Sequence, residues 1–592
     1  MAGKCLEWCI IHMNSNQYES AINAANRAYF CAVSRNVKFS VLQTRSRLFL
    51  EMGYYKECLY DAISALELNA NWLKNRDIYS LISECFKKLN YVRKSKFYES
   101  RGRELRDLSV TELKEDITKL RLEINDFYNY KSKWTCIHPE FPENSIDKSG
   151  NICNMNNKEQ QSDTSETPIQ LLSAKEGVLR AKNTKSDRGW TLEVTRDVSV
   201  GEILLTERPY ASILGHSYTK YCYCCYKRCL NIRPCKGCAM VGFCSKECAE
   251  NARNPDRSLL DGGPGRHVFD CGGIIPFIRL EDNFGVINPG LRFSHLAYTC
   301  VANTPAEVLL DHICSTDENQ RHQGFENVDN SRGQPPPVFN PSDYSTVAWL
   351  YPQSGTETTD EFQWKSTINA IFLTYCLWLS DYPMRWFDEA KREFYKHPSQ
   401  IKRPNFLPAS WIATCMLYHL KAMRFNAADY TEYLESSSIE LTSNRNWLAL
   451  CIYPTISLIN HDCNPNACLV STANGGTFLY ALRPIAKNEE VTICYQYFYF
   501  SISTSFRIAN IRERYLFSCH CDACSNKWDL KKLETESLKC PSCGSKFLST
   551  DEKCTNCNDE GSIQSVEVGA RESQELYFLE DSELSLQRGS SS

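Results

Sequence analysis

The sequence predicts a multidomain α+β protein in which a helical N-terminal part precedes a β-rich part that binds metal. Three observations support this prediction. A pattern of turn-forming and small residues repeats every 37 residues within the first 110 positions. Runs of alternating hydrophobic residues, typical of strands, lie at 173–210 and 446–500. Cysteines cluster at the short spacings that metal sites use.

The composition is that of an ordinary globular chain. The 592 residues suffice for several domains, and 42% are hydrophobic and 23% charged. The net charge of −4 gives no overall attraction to nucleic acid. We see no secretory signal, lipidation signal or apolar run long enough to span a bilayer. We therefore expect a cytoplasmic and nuclear protein. Disulfides are rare in those compartments, so clusters among the 31 cysteines indicate metal sites more than disulfides.

Residues 1–132 are predicted to form helical hairpins. Asn16, Gly53 and Asn90 each stand between two helical stretches, and asparagine and glycine tolerate the positive φ of a tight turn. Small residues recur at the same period, which lets paired helices approach closely: Ala21, Cys58 and Ser95, then Ala28, Ala65 and Gly102. The period is typical of tetratricopeptide-like repeats, which bind proteins, and the alternative is an irregular helical bundle.

Three stretches are predicted to lie outside folded domains. The linker 133–172 is rich in Asn, Ser, Asp, Glu and Gln and has few apolar residues to bury, so we expect disorder there. A second disordered loop is predicted at 315–345, which contains three consecutive prolines. The tail 571–592 is rich in Ser and Glu.

Residues 211–275 carry a dense set of metal ligands. Paired ligands two residues apart present two sulfurs to one tetrahedral zinc ion, and eight ligands suffice for two closed, structural sites. The eight are Cys222, Cys225, Cys235, Cys238, Cys244, Cys248, His267 and Cys271.

Two further cysteine clusters lie nearer the C-terminus. Cys519, Cys521 and Cys524 form a three-cysteine group. In the segment 531–570, four cysteines in two pairs predict a zinc-ribbon-like site: Cys540, Cys543, Cys554 and Cys557.

Two motifs in the last third of the chain point to one family. The first runs from Asn460 to Asn466, Asn-His-Asp-Cys-Asn-Pro-Asn, and the second from Glu489 to Tyr495, Glu-Glu-Val-Thr-Ile-Cys-Tyr. With the earlier Arg188-Gly189-Trp190-Thr191, the chain resembles the SET- and MYND-domain (SMYD-type) protein-lysine methyltransferases, in the subclass with tetratricopeptide-like repeats in front. The resemblance implies a split SET fold: N-terminal half 173–210, MYND finger 211–275, helical insert 276–445, C-terminal half 446–500 and post-SET segment 501–530.

The same resemblance implies how the ligands group. Cys222, Cys225, Cys244 and Cys248 would hold one zinc ion, and Cys235, Cys238, His267 and Cys271 a second. Cys463 would join the three-cysteine group on a third ion. With the zinc-ribbon-like site, about four zinc ions per chain are expected.

The implied activity is transfer of a methyl group from S-adenosylmethionine to a lysine of a histone or another protein. Tyr495 would be the catalytic residue and Tyr515 would line the lysine channel. The cofactor would be held by Arg188, Gly189, Trp190, Asn426, Asn460, His461, Tyr495 and Phe517. The alternatives are a helix C-cap for Asn426 and simple packing beside a zinc site for Tyr515 and Phe517.

Two departures from the family pattern bear on activity. Thr191 stands where the family's Gly-x-Gly segment has its second glycine, and Asp462 stands where we expect serine. A weak or inactive adaptor that binds partners through the repeats and the finger therefore stays an alternative, as does a zinc-dependent corepressor. In each case we expect protein partners, with no membrane, and nucleic acid not as the main ligand.

Overall fold

The computed structural model describes residues 1–68, 72–104, 109–125, 169–184, 188–215, 218–254, 264–274, 289–315, 336–352, 359–386, 406–433, 445–528, 538–539 and 546–547. Among these residues, no helix has both the length and the apolar character needed to cross a membrane. Residues 133–168 of the predicted linker 133–172 and the tail 571–592 lie outside the described residues, whereas the end of the linker was wrongly predicted as disordered, because it contains a short strand, Gln170–Leu171.

The N-terminal part consists of antiparallel helices paired as hairpins. Its helices are α1 (Ala2–Asn14), α2 (Tyr18–Phe30), α3 (Arg35–Glu51), α4 (Tyr55–Glu67), α5 (Trp72–Lys88), α6 (Val92–Glu104) and α7 (Val110–Asn125). The turns inside the first three hairpins contain Asn16, Gly53 and Asn90, with φ of 57°, 78° and 63°. The predicted helical hairpins and the reason for their turn residues are therefore confirmed.

The repeat also extends to side-chain contacts. The Ser46 hydroxyl donates to the Cys58 carbonyl at 3.0 Å, and 37 residues later the Ser83 hydroxyl donates to the Ser95 carbonyl at 2.9 Å. A Cβ at Gly102 would lie only 3.1 Å from the Cβ of Tyr79. The small residues of the repeat thus lie where helices pack closest.

The β-rich part is built from strands on both sides of the cysteine-rich segment, by which we mean residues 218–274. The first group is β1 (Gln170–Leu171), β2 (Leu179–Asn183), β3 (Trp190–Val194), β4 (Ile203–Glu207) and β5 (Ala211–Leu214). The second group is β9 (Ala427–Tyr433), β10 (Arg445–Ile452), β11 (Asn460–His461), β12 (Ala467–Ser471), β13 (Thr477–Ala481) and β14 (Thr492–Ile493).

Pairing between the two groups joins them into one unit. β4 pairs with β13, and β5 pairs with β10, in both cases antiparallel. β2 pairs with β3, and β11 lies parallel to β14. Their hydrophobic side chains share one core with the helices that separate the two groups.

Those intervening elements are short strands and helices. In the cysteine-rich segment they are β6 (Arg233–Pro234), β7 (Gly242–Phe243) and α8 (Lys246–Arg253). They are followed by α9 (Pro289–Ala302), α10 (Ala306–Ser315), β8 (Val338–Phe339), α11 (Tyr344–Ala348), α12 (Asp360–Leu379) and α13 (Ala409–Asn426). After β14 come α14 (Thr504–Tyr515) and α15 (Asp522–Ser525).

Three details differ from the sequence predictions. β5 lies inside the range predicted for the finger, because its four buried residues pair with β10. Residues 427–433 were predicted as helix, but they form β9 because pairing with β10 overrides local helix propensity. The predicted disordered loop 315–345 contains β8, which pairs in parallel with β1.

The helical part is fastened to the cysteine-rich segment by buried polar contacts. Asn26 donates through Nδ2 to the Thr219 carbonyl at 2.8 Å. Arg45, fully buried, pairs with Asp61 at 2.6 and 2.8 Å and also donates to the carbonyl of Ile232 at 3.2 Å. The two parts therefore form a continuous structure.

Near the C-terminus, β15 (Leu538–Lys539) and β16 (Lys546–Phe547) pair antiparallel. The four cysteines of the predicted zinc-ribbon-like site lie outside the described residues.

Candidate functional site

Three groups of four ligand side chains converge in the described residues. They are Cys222, Cys225, Cys244 and Cys248; Cys235, Cys238, His267 and Cys271; and Cys463, Cys519, Cys521 and Cys524. Within each group all ligand atoms lie within 4.8 Å of one another. These are the sets that the sequence resemblance implied.

The spacing within each group suits a tetrahedral ion. Zinc–sulfur bonds near 2.3 Å place two sulfurs about 3.8 Å apart. The Sγ separations are 3.8 Å for Cys225–Cys244 and 3.9 Å for Cys235–Cys271. In the third group they are 4.0 Å and 3.6 Å from Cys463 to Cys519 and Cys524. The residues present therefore fit zinc at three sites.

His267 has the support that a metal-binding imidazole needs. Its Nε2 lies 3.3 Å from Cys238 Sγ, on the ligand side, and its Nδ1 lies 2.5 Å from Asp270 Oδ1. The other oxygen of Asp270 accepts from the Tyr223 hydroxyl at 2.5 Å. A carboxylate on the distal nitrogen fixes the ring orientation and strengthens the ligand. Sequence analysis missed Asp270, although an acid three residues after a ligating histidine was a usable signal.

The third metal group adjoins a parallel pair of strands, β11 and β14. β11 carries Asn460 and His461 and pairs with Thr492 and Ile493 of β14. The Asp462 side chain then accepts from the Asn464 amide at 2.7 Å and forms a turn that leads into Cys463. The acid that stands where the family pattern has serine thus fits the turn.

The His461 ring connects the metal group to Tyr495. Its Nδ1 accepts from the backbone N–H of Tyr495 at 3.0 Å, so the proton of the neutral ring is on Nε2. That Nε2 lies 3.3 Å from Cys463 Sγ. Burial lowers the pKa of His461 to about 4, which keeps this tautomer neutral at physiological pH. Sequence analysis assigned His461 to the cofactor and missed this use of the ring.

Aromatic rings surround the Tyr495 side chain. Its hydroxyl donates to the Ile459 carbonyl at 2.7 Å, and its ring centroid lies 4.9 Å from that of Tyr515 and 5.2 Å from that of His461. Phe517, which is 38% exposed, lies 6.3 Å from the His461 ring. Burial raises the pKa of both Tyr495 and Tyr515, so both phenols stay protonated. The predicted channel residues are thus brought together.

The predicted cofactor strand, β3, lies beside residues 489–491, directly before β14. Gly189 has a φ of 64°, and a Cβ there would meet no atom within 4 Å, so the backbone borders open space. Trp190 packs edge-on against Trp349 at 5.8 Å. Arg188, Thr191 and Asn460 all donate to Glu490. The open space at Gly189, with the Asn460 amide and the charged Arg188 and Glu490 near it, suits a zwitterionic cofactor such as S-adenosylmethionine.

Asn426 has a structural role. It ends α13, and its Nδ2 donates to the carbonyls of Tyr351 and Ala422, each at 2.8 Å. The sequence left a helix C-cap open as the alternative; Asn426 is instead the last helical residue, and the C-cap is Ala427. The backbone carbonyl of Asn426 accepts from the Ser457 hydroxyl at 3.3 Å, close to the turn that leads into Asn460. A cofactor contact by Asn426 stays a proposal.

Comparison with known proteins identifies the fold around this site. A family model described as SET domain matches residues 298–496, the range that contains Asn460, His461 and Tyr495. The site therefore lies in a region that matches the SET domain.

Several proteins that match this chain are named as protein methyltransferases. The chain is 25% identical to protein-lysine N-methyltransferase SMYD4 of Mus musculus over 62% of this chain and 50% of that protein. It is 21% identical to histone-lysine N-methyltransferase ASHR1 of Arabidopsis thaliana over 62% of this chain and 58% of that one. Human histone-lysine N-methyltransferase SMYD3 is 39% identical over 77 residues, 13% of this chain and 17% of its own. The chain thus spans about half the length of the SMYD4 protein it matches.

A solved structure, the SET domain of LSMT bound to lysine and AdoHcy, aligns with a TM-score of 0.22 and 10% identity, covering 58% of this chain and 53% of that one. At that level the likeness carries no argument.

Two residues that sequence analysis missed hold the SET-domain site in place. Glu207, at the end of β4 and fully buried, accepts from the amides of Thr455 and Ile456 at 2.9 and 3.0 Å. It therefore fixes the turn before Asn460. Arg424 of α13 donates to the carbonyls of Glu513 and Arg514, at the end of α14, directly before Tyr515. No sequence signal distinguished either residue from an ordinary surface charge.

Proposed function

We propose that the protein is an S-adenosylmethionine-dependent protein-lysine N-methyltransferase. The observation that carries the proposal is the convergence of Asn460, His461, Tyr495 and Tyr515 at the parallel strand pair β11–β14. The relatives' names, protein-lysine and histone-lysine methyltransferase, support the same reaction class. The substrate is a lysine of a histone or another protein.

The chain's own residues account for the requirements of this chemistry. The bound cofactor supplies an electrophilic methyl group on sulfur. A lysine has an ordinary pKa near 10.4, and burial beside the packed rings of Tyr495 and Tyr515 disfavours its charged form, which promotes loss of the proton. The Tyr495 phenol stays protonated and is fixed by the Ile459 carbonyl. It therefore orients and hydrogen-bonds the reactants and does not act as the base.

The metal groups hold this arrangement together. Cys463 lies in the motif that contains Asn460 and His461, and the rest of its group comes from residues 519–524. Zinc binding there ties the β11 motif to α15 and supplies folding energy. We assign the cysteine-rich segment to a MYND finger with two zinc ions, and residues 540–557 to a fourth zinc site. The three groups among the described residues each bring four protein ligands together and leave no open position, so we assign them structural roles.

The helical hairpins serve as a tetratricopeptide-like scaffold for protein partners or substrate, and we expect the protein in the cytoplasm and nucleus. Incubation of the zinc-replete chain with cell lysate and radiolabelled S-adenosylmethionine tests the proposal. Labelled protein bands that disappear with a Tyr495→Phe variant support it. Failure of the wild-type chain to bind the cofactor in calorimetry would instead favour the adaptor.

A further inference from the structure

One oxygen of Glu490 accepts hydrogen bonds from three donors, which come from two segments of the site. Oε1 accepts from Thr191 Oγ1 at 2.6 Å, from Asn460 Nδ2 at 2.9 Å and from Arg188 Nη2 at 3.0 Å. The Glu490 side chain is 26% exposed, whereas Thr191 is only 3% exposed. Bonds of this kind to a carboxylate are the stronger class of hydrogen bond.

Backbone hydrogen bonds place the segment that contains Glu490 next to both β3 and β11. The amide of Val194 donates to the Glu489 carbonyl at 3.1 Å, and the amide of Val491 to the Leu192 carbonyl at 2.8 Å, so β3 lies beside residues 489–491. Thr492 and Ile493 then pair with β11. Glu489 faces the other way and accepts from Arg483 at 2.9 Å and Asn466 at 3.1 Å. Glu490 alone of the two acids therefore faces the site.

The contact with Asn460 decides which way its amide points. A side-chain amide carries a donor nitrogen and an acceptor oxygen on opposite branches. Because Nδ2 donates to the Glu490 carboxylate, Oδ1 must point away from that carboxylate, since the reverse orientation would set two acceptors against each other. Asn460 thus offers an acceptor, which suits a cationic donor such as an ammonium group.

We propose that Glu490 is a positioning residue for the cofactor, and that Thr191 is its partner. The Thr191 hydroxyl, at the position where the family pattern has glycine, bonds Glu490 and holds β3 at a fixed distance from Asn460. The threonine strengthens cofactor binding instead of obstructing it. This inference rests on the proposed function, because it concerns the same S-adenosylmethionine site.

The test compares the affinity of four variants for S-adenosylmethionine by calorimetry, using the zinc-replete full-length chain. Thr191→Val keeps the β-branched shape but removes the hydroxyl, and its Kd should rise about tenfold, equivalent to about 1.4 kcal/mol. Thr191→Ser keeps the hydroxyl and should restore the affinity to within about threefold of wild type. Thr191→Gly recreates the family pattern and should also bind more weakly. Thr195→Val makes the same change where the hydroxyl donates to the Gly177 carbonyl, and it should bind as wild type does.

The outcomes separate this inference from the function it rests on. Tighter binding by Thr191→Gly, or unchanged binding by Thr191→Val, overturns the inference while the methyltransferase proposal stands. No binding by the wild-type chain overturns both. In turnover assays, Thr191→Val should raise the KM for the cofactor with kcat nearly unchanged, which a general loss of folding would not do. If Thr191→Val fails to fold, Glu490→Gln, which keeps the shape, should raise Kd at least threefold; unchanged affinity would refute the role of Glu490.

Discussion

The buried pair of Arg45 and Asp61 gives a prediction whose size follows from the structure. Arg45 has no exposed surface and donates to Asp61, Asn26 and the Ile232 carbonyl. Arg45→Met leaves the Asp61 carboxylate buried without its partner, which should cost about 3–5 kcal/mol. At about 1.4 kcal/mol per factor of ten, amide exchange in α3 and α4 should accelerate between about a hundredfold and a few thousandfold.

Hydrogen exchange with mass spectrometry measures this effect within the intact chain. Residues 230–234 should also lose protection, because Arg45 reaches across to the cysteine-rich segment. The control is Arg103→Met, which breaks an exposed pair with Glu99 and should change the local stability by less than about 1 kcal/mol. Arg45→Met combined with Asp61→Leu should recover part of the loss. Exchange in α3 and α4 that is the same in Arg45→Met as in wild type would refute the buried pair.

Three other predictions concern metal, scaffold and pH. Elemental analysis should find four zinc ions per chain, and Asp270→Asn should weaken one site about 10–100-fold; two ions or fewer in a folded sample would contradict this. Deletion of residues 1–110 should leave S-adenosylmethionine binding nearly intact but weaken the binding of a protein partner or substrate. Loss of cofactor binding in this deletion would instead show that the helices belong to the catalytic core. Burial raises the pKa of Glu207 from 4.5 to about 7, so its contribution to stability is present below about pH 4.5 and lost as the pH rises to about 7. Between about pH 5 and pH 7.5, the free energy of unfolding measured in urea should therefore fall less for Glu207→Gln than for wild type. Equal decreases in the two proteins would contradict this prediction.

The sequence was most informative where local chemistry decides the structure. Asn16, Gly53 and Asn90 predicted the hairpin turns, because few other residues tolerate positive φ. The ligand groups followed from family resemblance, and the structure brings together the same twelve side chains. Both kinds of signal depend on residues close together in the chain or on a recognised motif.

The contacts that support the site could not be predicted in the same way. Glu490 binds Arg188 and Thr191 across about 300 residues of sequence, with separations of 302 and 299. Glu489 and Glu490 are neighbours of one type, and only strand pairing determines which one faces the site. The strand at 427–433 likewise depends on β10. Such features follow from tertiary pairing, which residue pattern alone does not specify.

The most direct test of the account compares wild type with Tyr495→Phe. The variant removes only the hydroxyl that donates to the Ile459 carbonyl and keeps the ring between His461 and Tyr515. We expect S-adenosylmethionine to bind both proteins with similar Kd in calorimetry, and slow lysine methylation by wild type to be nearly lost in the variant, as for a group that acts in the transition state. Equal methylation rates for the two proteins, or no cofactor binding by zinc-replete wild type, would contradict the account.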